Sequence, residues 1–308
     1  MTIFRAVLLT LCAGTLAAAT LDTHTVVLDS GSKLLPWGSQ SDRTWAQVCF
    51  LSFDRLKQSP IVPGVGVPVS YLESEYDPVT FQGSGWPNNP ASKNAMIAES
   101  AALWYAFSAD QTVIAYARGM LDHQLDFGTT PAGWVWAKSP WSTAQAGSKT
   151  YGNDSQIEGS GILEPDKIGE LGFHGYLRFW QITGDIRYRD AAIACADALA
   201  ANVRTGTATQ SPWPYRVNAQ TGVVKQDYCS HVAPCLRLFD ELIRLNLGNV
   251  ANYQTARTTA LNWLKTYPLV NNEWRSYFED VGQGGDNNRD QYNAGQTARY
   301  LLDHPQVD

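Results

Sequence analysis

The chain has 308 residues, with 23 basic against 29 acidic side chains and a formal net charge of −6. That acidity argues against a nucleic acid as the main partner, because a phosphate backbone is held by clustered cations. With 44% hydrophobic and 17% charged residues, the sequence has enough apolar material for a sizeable core and too little charge for a disordered chain.

Residues 1–19 carry the three parts of a secretory signal: Arg5, an apolar stretch from Ala6 to Leu16, and the small residues Ala17, Ala18 and Ala19. The apolar run falls short of the ~20 residues a bilayer requires, and no later segment supplies them. The sequence therefore predicts an exported protein, secreted or periplasmic, with no membrane anchor and one domain over 20–308. Leu11 before Cys12 is not the small residue that precedes a lipidated cysteine. Export leaves Cys49, Cys195, Cys229 and Cys235. An oxidising compartment permits a bridge, and Cys229 and Cys235 are near enough in sequence to clip a loop to a helix start. Cys195, within AAIACADALA, reads as a small buried residue. No Cys/His ligand spacing is present, so neither a metal nor another cofactor is predicted.

Apolar residues then recur at helical spacing over 41–57, with Trp45, Val48, Cys49, Ser52 and Leu56 on one stripe. Proline and glycine break the chain repeatedly between 59 and 92, which excludes a long helix there. From 94 onward one pattern organises the sequence: a helix, a tight polar turn and a second helix. It spans 94–125, 166–203 and 231–267, with turn residues Asp110, Asp185 and Asn249 spaced 75 and 64 positions apart. Each of these can cap the following helix. The repetition predicts αα-hairpins in an all-α ring. A fourth unit opens at Asp290 with QYNAGQTARYLL. Two readings of the end stay open: the fourth hairpin is cut short, or helix 41–57 packs beside 290–302 and closes the ring.

Linkers within hairpins are short, whereas those between hairpins, 126–163, 204–229 and 268–289, are long. Long ordered linkers on a rigid scaffold carry most binding and catalytic groups. The site is thus predicted on the long-linker rim, beside the N-termini of each hairpin's first helix. The phrase LGFHGYLRFWQITGDIRYRDAAIACADAL and the aromatic linkers resemble the six-hairpin glycosidase-like α/α-toroid superfamily of glycoside hydrolases, polysaccharide lyases and sugar epimerases. The resemblance covers roughly 94–302 and implies an α/α toroid acting on a carbohydrate. Fold likeness alone assigns no activity.

The linkers read GWVWAKSPWSTA, SPWPYRVNAQTG and NNEWRSYFEDVG. Sugar rings stack on aromatics while their hydroxyls seek polar partners, which marks Trp134, Trp213, Tyr215, Arg216, Trp274 and Tyr277 as candidate binding residues over one hollow. The middle linker continues into VVKQDY and reads as a β-hairpin turning at NAQTG. Glycoside hydrolysis needs two carboxyls, one donating a proton and one acting as base or nucleophile. Glu158, Glu170 and Asp227 are the candidates, with His231 beside them and His174 four residues after Glu170 on the same helix face. Glu164 and Asp166 read as helix-start residues facing the dipole. Glu279, Asp280, Asp286 and Asp290 form a further acidic set, but Gln291 and Thr297 replace residues an EF-hand requires. A uronate lyase or epimerase is the alternative, with Arg216 neutralising the substrate carboxylate and Tyr215 or His231 moving a proton. A binding or scaffold protein without catalysis is the third reading. No GxSxG, Walker loop, HExxH or dinucleotide fingerprint occurs.

Overall fold

A computed structural model describes residues 28, 30–33, 45–68, 77, 79–80, 90–144, 149–154, 159–275 and 291–307. Helix α1 spans Trp45–Lys57, α2 Pro90–Ser108, α3 Gln111–Phe127, α5 Ile186–Ala201, α6 Ala233–Arg244, α7 Val250–Thr266 and α8 Gln291–Asp303. Between α3 and α5 runs α4 (165–183), composed of Pro165–Glu170, a π-helical turn at Leu171–Leu177 and Arg178–Thr183.

The three hairpins are α2–α3, α4–α5 and α6–α7, and the caps predicted from their turns are present. The side chains of Asp110, Asp185 and Asn249 accept the backbone N–H of Thr112, Arg187 and Asn252. Each thereby satisfies a donor that the helix itself leaves free. The first helices form an inner row, with α4 against α2 and α6, and α6 against α8. The row is tight because α2 presents alanines at helical spacing, Ala91, Ala95, Ala98 and Ala102, all buried.

The second helices form the outer row and are stitched by a repeated contact. The Tyr188 hydroxyl on α5 donates to Asp122 on α3 at 2.7 Å, and Tyr253 on α7 donates to Asp197 on α5 at 2.6 Å. Both acceptors stand twelve residues after the caps Asp110 and Asp185, so one device recurs in successive hairpins. Phe179, Tyr188, Phe239 and Tyr253 lie in the core between the rows, Tyr188 edge-on to Phe179.

The linkers add short strands: β1 (Asn153–Asp154) pairs with β2 (Gly159–Ser160), and β3 (Ile162–Leu163) with β4 (Arg216–Asn218), which pairs with β5 (Val224–Gln226). The β4–β5 hairpin turns at NAQTG, as the sequence predicts. Helix α1 begins and ends close to the predicted bounds and ties to the first turn through Lys57, whose ammonium meets Asp110 at 3.3 Å. Among the described residues no helix is long and apolar enough to cross a membrane. The signal-like residues 1–19 lie outside them.

Candidate functional site

The N-terminal turns of the four inner helices converge on one buried charged cluster. Pro165 and the N-terminal turn of α4 set Asp166, Lys167 and Glu170 on the inner side. Gly169 lets α6 approach: a Cβ there would stand 2.7 Å from the Cys235 backbone nitrogen. That approach brings His231, just before α6, to Asp166, with Nδ1 3.1 Å from Oδ2. From α2, the Ser92 hydroxyl donates to Glu170 Oε2 at 2.5 Å, and from α8 the Tyr292 hydroxyl donates to Oε1 at 3.4 Å. Lys167 Nζ sits 3.5 Å from Asp166 Oδ2 and 3.3 Å from Glu170 Oε2. The two carboxylates therefore share one ammonium, and His231 spans them, its Nε2 3.7 Å from Glu170 Oε1. On the linker side Glu164 accepts from Arg216 Nε at 3.0 Å.

Burial acts to raise the pKa of Asp166 and Glu170, but Lys167 and His231 overcome it and hold both carboxyls below the usual range. Glu164 goes the other way: burial raises it, the charge of Asp166 adds to that, and Arg216 only partly opposes. Lys167 is held well above its ordinary value, since three carboxylates outweigh the cost of burying its charge. Tyr292 is pushed up to about 12 by burial and the Glu170 charge. Two atoms in this enclosed cluster have no hydrogen-bond partner among the described residues, Asp166 Oδ1 and His231 Nε2. Buried polar atoms are normally satisfied, so this pair marks where a water or ligand hydroxyl would bind. Tyr292, 47% exposed, lays its ring on His231 at 5.1 Å and is the point where the cluster meets solvent.

Of the predicted site residues, Glu170 and His231 come together here. Asp227 does not. It forms an ion pair with Arg204 and accepts from Gln210 at 3.1 Å, bracing the 204–211 loop. Nor does it cap α6, whose N-cap position is Val232. Arg216 is 1% exposed and committed to Glu164 and Gln226, with Tyr215 buried under its guanidinium, so neither faces open space. His174 faces α2 as Glu170 does, but one helical turn further along, with its Nδ1 2.9 Å from Glu99 Oε1. Glu158 and Tyr277 lie outside the described residues, as do Glu279, Asp280, Asp286 and Asp290.

The three tryptophans do not gather over a single hollow. Trp213 is 2% exposed, its indole N–H donating to the Leu199 carbonyl at 2.9 Å and its ring beside Phe239. A satisfied N–H and a packed ring make it a core residue. Trp274 packs on the core edge and donates to Asn272 at 2.8 Å. Trp134 lines an open cleft of about 620 Å³, with Trp141, Tyr151, Gly152, Gly161, Asn218 and Gln220. Two linkers build it, 126–163 and 204–229. Val135 and Trp136 donate backbone N–H groups to Gln220 and Ala219, Ala219 donates to Gly161, and Gly161 to Gly152.

Sequence reasoning passed over Asp166, Lys167, Ser92 and Tyr292. Asp166 was legible as an acid in a first helical turn, a position that usually means only a dipole contact. For Ser92 and Tyr292 nothing local marks them, since each joins the cluster from a different hairpin. Cys195, Cys229 and Cys235 are buried free thiols, Cys235 lying against Gly169, while Cys49 is exposed.

No protein-family model and no curated protein matches the sequence. Among solved structures the chain is similar to a family 76 glycoside hydrolase, an α-mannanase from Bacteroides thetaiotaomicron. The identity is 14% and the TM-score 0.54, over 85% of this chain and 62% of that one. Another family 76 glycoside hydrolase, from a bovine strain of the same species, aligns at 18% identity and TM-score 0.42 over 56% of this chain and 34% of that chain. An α-1,2-mannosidase from Trichoderma reesei aligns at 12% and 0.42, over 63% and 41%. The chain spans no more than 62% of the length of these structures. The fold is an α/α toroid of helical hairpins, like that of the α-mannanase.

Proposed function

We propose that the chain is a carbohydrate-active protein whose carboxylate cluster serves glycosidic-bond hydrolysis, with Glu170 and Asp166 as the ionised carboxylates that act as base or nucleophile, Glu164 as the group with a proton to give, and His231 and Lys167 positioning them. The observation that carries this is the convergence of two carboxylates on one lysine, at the pole where four inner helices begin, with Asp166 Oδ1 and His231 Nε2 left unpartnered. Their shared ammonium keeps the two carboxyl oxygens no more than about 7 Å apart. Glu164, raised beside two lowered carboxyls, gives the cluster the divergence of proton affinities that acid–base chemistry uses. Tyr292, touching both His231 and Glu170 from the solvent side, is where a sugar would enter.

The test is release of reducing ends from a panel of polysaccharides, with α-mannan included because the structural neighbour at TM-score 0.54 is named an α-mannanase. Glu170→Gln and Asp166→Asn should each cut turnover at least about 100-fold while thermal unfolding and circular dichroism stay close to the parent. Full activity in both variants refutes the assignment. A second reading, carbohydrate binding without hydrolysis, draws on the same cluster: both carboxylates are buried and paired with Lys167. It predicts saturable binding with no reducing-end release. The uronate alternative loses its main support, because Arg216 is enclosed with Glu164.

A further inference from the structure

We propose that the cleft at Trp134 is a separate binding site for a neutral pyranose ring, held by stacking on Trp134 and by hydrogen bonds from the side-chain amides of Asn218 and Gln220. The ligand class rests on the carbohydrate reading above; the site does not depend on the carboxylate cluster being catalytic.

Trp134 and Trp141 meet edge to face, centroids 5.9 Å apart at 84°. Trp141 is nearly enclosed, and Gly152, at φ +70, lies so close to its ring that a Cβ would stand 2.7 Å away. Half-buried Trp134 is therefore the indole with surface left for a ligand. Tyr151 forms a further wall and is fixed by His123, whose Nδ1 lies 2.5 Å from its hydroxyl.

The polar groups are fixed in the same way. Asn218 Oδ1 accepts from the backbone of Gln220 and Thr221 and from the Thr221 hydroxyl. Its oxygen is thereby committed to the turn, and its Nδ2 is left to donate. Gln220 stands exposed at the tip of that turn. Neither Asn218 Nδ2 nor the Gln220 amide has a partner among the described residues. The backbone bonds linking 135–136, 152, 161 and 219–220 hold wall and amides together before any ligand arrives, which lowers the ordering cost of binding.

An aromatic face with amide donors and acceptors suits the C–H face and hydroxyls of a sugar. Among the described residues no charged side chain lines the cleft. A uronate or sulfated ring would find no counter-charge there, so the site selects uncharged rings.

The full chain would be titrated by isothermal calorimetry with mannotetraose, cellotetraose and tetragalacturonate. The proposal expects saturable binding of at least one neutral tetrasaccharide and at least tenfold weaker binding of tetragalacturonate. Trp134→Ala should weaken the neutral ligand about tenfold and Gln220→Ala about threefold, with Trp134→Phe retaining most of the affinity. Unchanged binding in Trp134→Ala, or tetragalacturonate binding as tightly as the neutral sugars, would overturn it. Reducing-end release from a polysaccharide, with no binding that depends on Trp134, would sink the cleft and spare the catalytic reading. Trp134-dependent binding without release does the reverse.

Discussion

Replacing Lys167 by methionine removes one charge and little volume, so its effect isolates the electrostatics of the cluster. The ammonium is nearly enclosed and lies 3.5 Å from Asp166 and 3.3 Å from Glu170. At an effective dielectric near 20, each contact is worth about 5 kcal/mol of attraction. The cost of taking the lysine charge out of water offsets much of this. The net loss on breaking such a buried pair is about 3–5 kcal/mol, because two carboxylates remain enclosed without a cation. The pH dependence has a definite sign. In the parent both carboxyls are lowered, so the stability they contribute is present above their unfolded values near ~4 and lost as pH falls through the folded values. In Lys167→Met burial and mutual repulsion raise them above the unfolded values. Stability is then lost as pH rises, and Glu164, already raised, moves further the same way. Urea unfolding at pH 4.5 and pH 7.5 reads both effects: the variant should be destabilised at both, and more so at pH 7.5. A loss under about 1 kcal/mol at pH 7.5, or equal losses at the two values, would refute the claim that Lys167 holds both carboxylates ionised.

Two further outcomes follow from packing. Gly169→Ala drives a methyl against the Cys235 backbone and Sγ. It should destabilise the fold by about 1–3 kcal/mol and separate His231 from Asp166, seen as displaced His231 ring resonances in NMR spectra. Among Cys49, Cys195, Cys229 and Cys235, only Cys49 is exposed, and burial pushes the other three thiols up. A maleimide should therefore label Cys49 in the native protein and the other three only after unfolding, as mass spectrometry of peptides would report; native labelling of Cys229 or Cys235 contradicts the packing around α6.

The hairpins were legible because helical periodicity and capping are local. Asp110, Asp185 and Asn249 announce their turns by residue type and position, and the structure uses each as a cap. The β4–β5 turn was legible for the same reason. The charged cluster and the Trp134 cleft lie where the long linkers meet the first helices, the end of the hairpins that unequal linker lengths single out. What could not be read was which rim residues face inward. Trp213 and Trp134 sit in similar contexts of Trp, Pro and Ser, yet one donates to a core carbonyl and the other lines a cleft. That difference depends on the partner each meets across the fold. Asp227 misleads likewise: its ion pair with Arg204 spans 23 residues within one linker.

The location of the cluster has a physical reason that ties these observations together. Enclosing three carboxylates in a protein interior is strongly unfavourable unless compensating charge and donors are near. A helix N-terminus offers partial positive charge, and a toroid gathers several of them at one pole. Glu164 occupies the N-cap position of α4 and Asp166 its first turn. The remaining compensation comes from Lys167 on the same turn, Arg216 from the linker, His231 from the start of α6, and the hydroxyls of Ser92 and Tyr292 from α2 and α8. No one hairpin satisfies the cluster, so its geometry is set by the packing of the whole inner row. The acids can be placed there because the ring exists, and the tightness that makes the ring, alanines on α2 and Gly169 on α4, is what brings their partners within reach.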